Sequence, residues 1–270
     1  MKTRAITGFF FIIVMVGSVL LGQNIFTAFY LALCIACLEE FYSLNIKSGI
    51  QINRVTGYIN AFFIYALFAL IVSHDQPLFH RLCFLLTFTI ALVFLQELFK
   101  ISVAPLTNIA YTLLGLVFVV VPFTFFHSLA FIQGAYNFHL PLGFLLMLWA
   151  NDTGAYLVGM SIGRYKLFER HSPKKTWEGF IGGVLISAGV GYILGLYYTE
   201  IHWVHWIVMA VIIGCFGTMG DLVESMFKRS INIKDSGGIL PGHGGLLDRF
   251  DGFLMAAPLV YTYLYLVLNT

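Results

Sequence analysis

The sequence predicts an all-α fold: a polytopic integral membrane protein with about nine transmembrane helices. Three observations carry that expectation. Of 270 residues, 59% are hydrophobic and only 10% charged, whereas a soluble domain uses about 25% charged residues. Continuous apolar runs, each close to the roughly twenty residues that cross a bilayer, recur along the chain. The basic residues fall almost entirely on alternate connections between those runs. Such runs mean helices, because barrel strands would alternate over about ten residues and lipid leaves any open backbone unsatisfied.

The expected spans are 5–21, 25–42, 56–73, 82–99, 108–126, 141–160, 179–198, 204–225 and 252–269. The first, in "MKTRAITGFFFIIVMVGSVLLGQN", resembles a secretory signal in outline. Its apolar run is as long as a span and no A-x-A cleavage site follows, so it reads as a retained helix. The second carries Cys34-x-x-Cys37, a spacing used for redox or zinc chemistry. With "LALCIACL" around it and no second ligand pair, it reads as helix packing.

Orientation follows from Lys and Arg. With the N-terminus cytoplasmic, the inner segments hold Lys2, Arg4, Lys47, Arg54, Lys100, Arg164, Lys166, Arg170, Lys174, Lys175, Lys228, Arg229, Lys234 and Arg249, and the outer ones Arg81 alone. That asymmetry is the positive-inside pattern. It predicts a multi-pass protein of the cell's inner, cytoplasmic membrane with its working face inside. Residues 1–140 contain six basic and four acidic residues, and 141–270 nine of each. The chain therefore reads as one membrane domain with an N-terminal scaffold region, 1–140, and a C-terminal catalytic region, 141–270. A net charge of +2 without a basic block argues against a nucleic-acid partner.

Three polar clusters lie at or near the inner face. The first is "WANDTGAYLVGMSIGRYK", 149–166, where Asp152 falls inside a span at a cost of about 2.5–3.5 kcal/mol. Gly154, Gly159 and Gly163 there suit either helix packing or close approach of a ligand. The second is "HSPKKTWEGFIGG", 171–183. Ser172 before Pro173 has the pattern of an N-cap and first helical turn, with Lys174 and Lys175 directly after it. Cations at a helix N-terminus make an anion site, although Lys residues beside a span also serve as membrane anchors. Glu178 has no such anchoring use.

The third cluster runs from Asp221 to Asp251. Asp221, Glu224, Ser225 and Lys228 share one helix face by their spacing. Arg229 follows, and then "KDSGGILPGHGGLLDRFDG" with Lys234, Asp235, His243, Asp248, Arg249 and Asp251. Carboxylates at two helix ends suit a hard divalent cation such as Mg²⁺, which is usually shared with substrate phosphates. Interleaved Lys and Arg would hold the remaining phosphate charge. The glycines allow close backbone approach, as in phosphate-cradling loops. His243 fits a metal ligand, a phosphate donor or a loop brace. Together these features point to phosphoryl or nucleotidyl transfer on a molecule dissolved in the bilayer.

The stretch "SMFKRSINIKDSGGILPGHGGLLDRFD", 225–251, resembles the signature of the phosphatidate cytidylyltransferases, the CDP-diacylglycerol synthases. It meets S-x-x-K-R-x4-K-D-x-G-x2-[LIF]-P-x-H-G-G-x2-D-R-x-D at every fixed position. "NDTGAYLVG" and "SPKKTWEGFIGG" also look like the family's upstream blocks. The resemblance implies condensation of CTP with phosphatidic acid to CDP-diacylglycerol and pyrophosphate in phospholipid biosynthesis. It implies Mg²⁺, a monovalent cation such as K⁺, and a homodimer. Carried over by motif, Asp221, Asp248 and Asp251 would bind metal. Lys228, Arg229, Lys234, Asp235, His243 and Arg249 would form the catalytic set. Asp152, Lys174, Lys175, Glu178 and Ser225 would line the nucleotide site.

Three rivals differ by identifiable features. CTP-dependent lipid-alcohol kinases look distantly similar in the first two blocks but lack the 225–251 signature. CDP-alcohol phosphotransferases carry D-G-x2-A-R-x8-G-x3-D-x3-D, which does not occur here. A lipid transporter would favour midplane charges and a repeat, whereas these charges crowd one face.

Overall fold

Among the described residues, seven helices of the computed structural model are long and apolar enough to cross a membrane: Gln23–Lys47, Arg54–His74, Pro77–Leu98, Pro105–Leu129, Trp177–Tyr197, Trp203–Ser230 and Leu247–Leu268. The protein is all-α and polytopic, as expected. Lys2–Leu20, with its apolar part at Thr7–Leu20, and His139–Ile162 are two further helices. The structure describes residues 2–74, 76–170, 172–231, 233 and 244–268, with side chains from residue 7 onward. The sequence-predicted Lys234, Asp235 and His243 lie outside the described residues.

Two compact units divide the chain: Met1–Tyr136 with Asp235–Leu247, and Asn137–Lys234 with Asp248–Thr270. The first begins with α1 (Lys2–Leu20) and α2 (Gln23–Lys47), joined through Gly22 at φ 98°. Next come α3 (Arg54–His74), α4 (Pro77–Leu82) and α5 (Leu85–Leu98). They are followed by α6 (Pro105–Gly115), a π turn (Leu116–Val120) and α7 (Val121–Leu129). Proline opens α4 and α6, where its missing N–H costs nothing. Pro122 at the start of α7 cannot donate back to the preceding turn, and the π turn sits directly before it. Only 11% of the apolar window in Pro77–Leu98 is buried, so α5 turns Phe88, Phe94 and Leu95 outward as a lipid-facing surface. Cys34 and Cys37 are buried packing residues of α2, in keeping with their apolar surroundings.

The second unit holds α8 (His139–Ile162), a two-stranded antiparallel hairpin, α9 (Trp177–Tyr197), α10 (Trp203–Ser230) and, from its second residue on, α11 (Leu247–Leu268). The strands are β1 (Lys166–Phe168) and β2 (Ser172–Thr176). Here one expectation is corrected. Ser172 does not cap a helix: Ser172-Pro173-Lys174-Lys175 is extended, and the cap is Thr176, whose Oγ1 accepts the Gly179 N–H at 3.2 Å. Pro173 is tolerated in a strand of only two-stranded pairing, and Thr176 is the better-placed hydroxyl for the run that follows.

Helices α8 and α9 pack through small residues. A Cβ on Gly183 would stand 2.7 Å from the Asn151 carbonyl oxygen, and one on Gly179 would stand 2.8 Å from that of Ala155. Membrane helices gain attraction by such close approach, since lipid offers no hydrophobic drive between them. The α10–α11 contact is equally tight: a Cβ on Gly220 would collide with the Asp251 carbonyl oxygen.

Candidate functional site

Both α10 and α11 run past the apolar slab into charged ends. The sequence-based spans stop at 225 and resume at 252, yet α10 continues to Ser230 and α11 begins at Leu247. Hydropathy locates the lipid-buried part of a helix, not its hydrogen-bonded end. Asp221, Glu224, Ser225, Lys228 and Arg229 are therefore all helical, as are Asp248, Arg249 and Asp251.

Lys228 is the hub of the α10–α11 junction. Its Nζ lies 2.7 Å from Glu224 Oε2, one turn back, and donates at 2.7 Å to Asp248 Oδ1. Glu224 is fully buried. One helical turn earlier, Ser225 Oγ donates to Asp221 Oδ1 at 3.3 Å, and Asp221 Oδ2 meets Lys175 Nζ at 2.6 Å. Lys175 comes from β2, so the hairpin delivers a cation to the α10 carboxylate. Asp251 accepts the N–H of Gly252 at 2.7 Å. Its carboxylate lies in electrostatic range of three other acids, Asp221, Glu224 and Asp152. Asp152, on α8, is in turn within range of Lys175 and Arg249.

A cavity of about 460 Å³ opens among these elements, within the range of about 300–1,000 Å³ usual for small-molecule sites. Asp152, Lys174, Lys175 and Asp221 supply its charge, and Tyr156 and Phe180 are among its apolar lining. The structure thus brings together the sequence-predicted Asp152, Lys174, Lys175 and Asp221 around one space. Asp248, Asp251, Ser225 and Lys228 form the adjoining α10–α11 cluster. Arg229 turns aside and donates to the Ile233 carbonyl at 3.3 Å. Glu178 is not among the cavity's lining residues; its carboxylate accepts the Tyr165 N–H at 3.2 Å and braces the start of the hairpin.

Two residues of this centre were absent from the expected set. Glu224 was legible as a helix-face neighbour of Lys228, but its burial was not. Thr176, both helix cap and cavity wall, was hidden by the Ser-Pro pattern just before it.

Among the described residues, no three His, Cys, Asp or Glu side chains converge as a ready metal cage. The donor set still fits Mg²⁺, which keeps several waters and takes one or two carboxylates together with substrate phosphates. Asp251 lies in range of three other acids, and Lys175 and Lys228 are drawn onto members of this group, the mix of carboxylates and cations that a phosphate-bound Mg²⁺ uses.

Residues 2–267 match the model of the cytidylyltransferase family. The chain is 35% identical over 274 residues to the phosphatidate cytidylyltransferase of Staphylococcus aureus (strain COL), covering 96% of this chain and 97% of that one. It is 32% identical over 262 residues to the phosphatidate cytidylyltransferase of Staphylococcus haemolyticus (strain JCSC1435), with the same coverage of both chains. With a match that runs almost from end to end, this chain belongs to the cytidylyltransferase family.

Proposed function

We propose that this protein is a phosphatidate cytidylyltransferase, a membrane nucleotidyltransferase that condenses CTP with phosphatidic acid to CDP-diacylglycerol and pyrophosphate. The carrying observation is the acid-and-lysine centre of α8, β2, α10 and α11 beside an apolar-walled cavity, in a chain whose named relatives have that activity. A phosphate oxygen of phosphatidic acid attacks the α-phosphorus of CTP. The bond from that phosphorus to the bridging oxygen of the β-phosphate breaks, and pyrophosphate leaves with the electron pair.

Both reactants are anions, so the residues mainly have to offset repulsion. Asp221, Asp248 and Asp251 are the carboxylates that would hold Mg²⁺ in this reading. When bound, that ion draws charge from the phosphate oxygens and leaves positioned cations to stabilise what remains. Lys175 and Lys228 stand on the acids at 2.6 and 2.7 Å, ready to exchange a carboxylate for a phosphate. Lys174 adds a further cation on the cavity wall. No general base is assigned, because a phosphate monoester with a second pKa of about 6 is already largely ionised at neutral pH.

Tyr156 and Met160 are exposed on the α8 flank and give the diacylglycerol body an apolar bank beside the charged end. A cytoplasmic N-terminus and active site are supported by the placement of Lys and Arg along the sequence. The monovalent cation, the homodimer and the roles of Lys234, Asp235 and His243 rest on the family resemblance.

Purified protein in detergent, given CTP, phosphatidic acid and Mg²⁺, is expected to release pyrophosphate only when both substrates are present. CDP formed on a lipid alcohol would replace this reading with that of a CTP-dependent kinase. A folded sample that turns over CTP with neither acceptor would rule out both.

A further inference from the structure

Helices α8 and α9 are joined by residues 163–176, most of them in the β1–β2 hairpin. Arg164, Lys166, Arg170, Lys174 and Lys175 make this segment basic, against Glu169 as its one acid. Lys174 and Lys175 line the cavity, and Lys175 is held by Asp221. Arg164, Lys166 and Arg170 are exposed and lie outside that lining. Among the described residues, Lys166 and Arg170 make no side-chain hydrogen bond or ion pair. Three rings stand outward beside these cations: Tyr165 is 73% exposed, Phe168 52%, and Trp177, the first residue of α9, 49%.

Chain connectivity sets the depth of this surface. Helix α9 is long and apolar enough to span a membrane. Trp177, Ile181 and Leu185, spaced four apart, are all exposed and share one stripe of it. An exposed apolar stripe on a spanning helix faces acyl chains. Its first ring then stands where chains give way to headgroups, the level at which Trp and Tyr collect. The hairpin ends at Thr176, one residue before that ring.

We infer that the β1–β2 hairpin is a docking surface for anionic phospholipid headgroups. Charge complementarity selects the occupant: Arg164, Lys166 and Arg170, offset by Glu169 alone, favour lipids of net negative charge over zwitterionic ones. Leu167, Lys174 and Lys175 of the same hairpin line the cavity, so lipid gathered on its exposed side waits beside the site. With the proposed reaction, on which this step rests, the hairpin raises the local concentration of phosphatidic acid there.

Pyrophosphate release by the full-length protein in phosphatidylcholine vesicles, measured against the mole fraction of phosphatidic acid, tests it. Lys166→Gln combined with Arg170→Gln is expected to raise the KM for phosphatidic acid about tenfold, given about fivefold in affinity for each cation near an anionic surface. The CTP KM and kcat should stay at wild type. Exchanging the two cations, Lys166→Arg with Arg170→Lys, keeps the charge and should keep wild-type kinetics. Added phosphatidylglycerol should compete, raising the phosphatidic acid KM of wild type more than that of the Gln pair. An unchanged phosphatidic acid KM in the folded Gln pair overturns the inference, and so does an equal rise in the CTP KM. If the Gln pair does not fold, Glu169→Gln decides: a KM for phosphatidic acid lowered about threefold supports the inference, and an unchanged one overturns it. Wild-type protein without pyrophosphate release sinks the proposed function instead. The hairpin is then tested by the phosphatidylglycerol that the protein retains from an equimolar mixture with phosphatidylcholine. A clear loss of that preference in the Gln pair supports the docking surface, and equal retention overturns it.

Discussion

In the first unit the buried carboxylate of Glu97 receives Asn108 Nδ2 at 2.7 Å and Asn53 Nδ2 at 2.9 Å, with Lys100 Nζ 3.7 Å away. In the second, the Asp251 carboxylate has the Gly252 N–H at 2.7 Å and three other acids in range. The surroundings of Glu97 are themselves satisfied: Asn53 N–H donates to Thr112, and Gln51 N–H donates to Asn108. That network ties the α2–α3 connection to α5 and α6 and leaves nothing for a ligand to do. Asp251 belongs to a set of neighbouring carboxylates offset by Lys175 and Lys228. A satisfied buried network rigidifies, whereas a crowd of like charges beside a cavity is a candidate site.

The contrast breaks first at Asp221. Asp221→Asn should cut pyrophosphate release about a thousandfold, as for loss of a preorganised transition-state partner, while the protein stays folded by size-exclusion chromatography. Glu97→Ala should do the reverse. Stranding the Asn53 and Asn108 amides costs about 3 kcal/mol of stability by denaturant unfolding, with kcat per folded molecule unchanged. A large loss of kcat in that variant would erase the distinction between the two units.

Smaller changes sharpen it. Gly220→Ala forces the α10 and α11 backbones apart at Asp251, costing about 2 kcal/mol as overpacking and lowering activity along with stability. A melting curve beside a pyrophosphate assay checks both. Thr176→Ala removes the cap of α9 for about 1 kcal/mol. Its effect should appear as a modest drop in unfolding temperature and a weaker apparent affinity for CTP, because Thr176 also lines the cavity.

Much of the scaffold was legible in the sequence for one reason: lipid demands long, unbroken apolar helices, and such runs are visible without any partner. Helix ends were not, because hydrogen bonding carries α10 to Ser230 and α11 back to Leu247, beyond the apolar residues. The hairpin 166–176 was missed because Ser-Pro-Lys-Lys obeys the local rules of a helix start while the true cap, Thr176, lies four residues later. Within the site, charges spaced along one helix were readable as a face. Pairings such as Lys175 with Asp221 were not, nor was Glu40 with Leu247, since sequence spacing says nothing about contacts 46 or 207 residues apart.

The central claim is that the acids of the second unit are held together for a cation rather than for the fold. The thermal unfolding of Asp251→Asn, with a chelator and then with Mg²⁺ and CTP, tests it most directly. Asparagine can still accept the Gly252 N–H while removing one negative charge from the cluster. The account expects the variant to unfold at the same or a higher temperature than wild type in chelator. It also expects the variant to lose the stabilisation that Mg²⁺ and CTP give wild type. A variant that is less stable in chelator, yet stabilised by Mg²⁺ and CTP as wild type is, would contradict it.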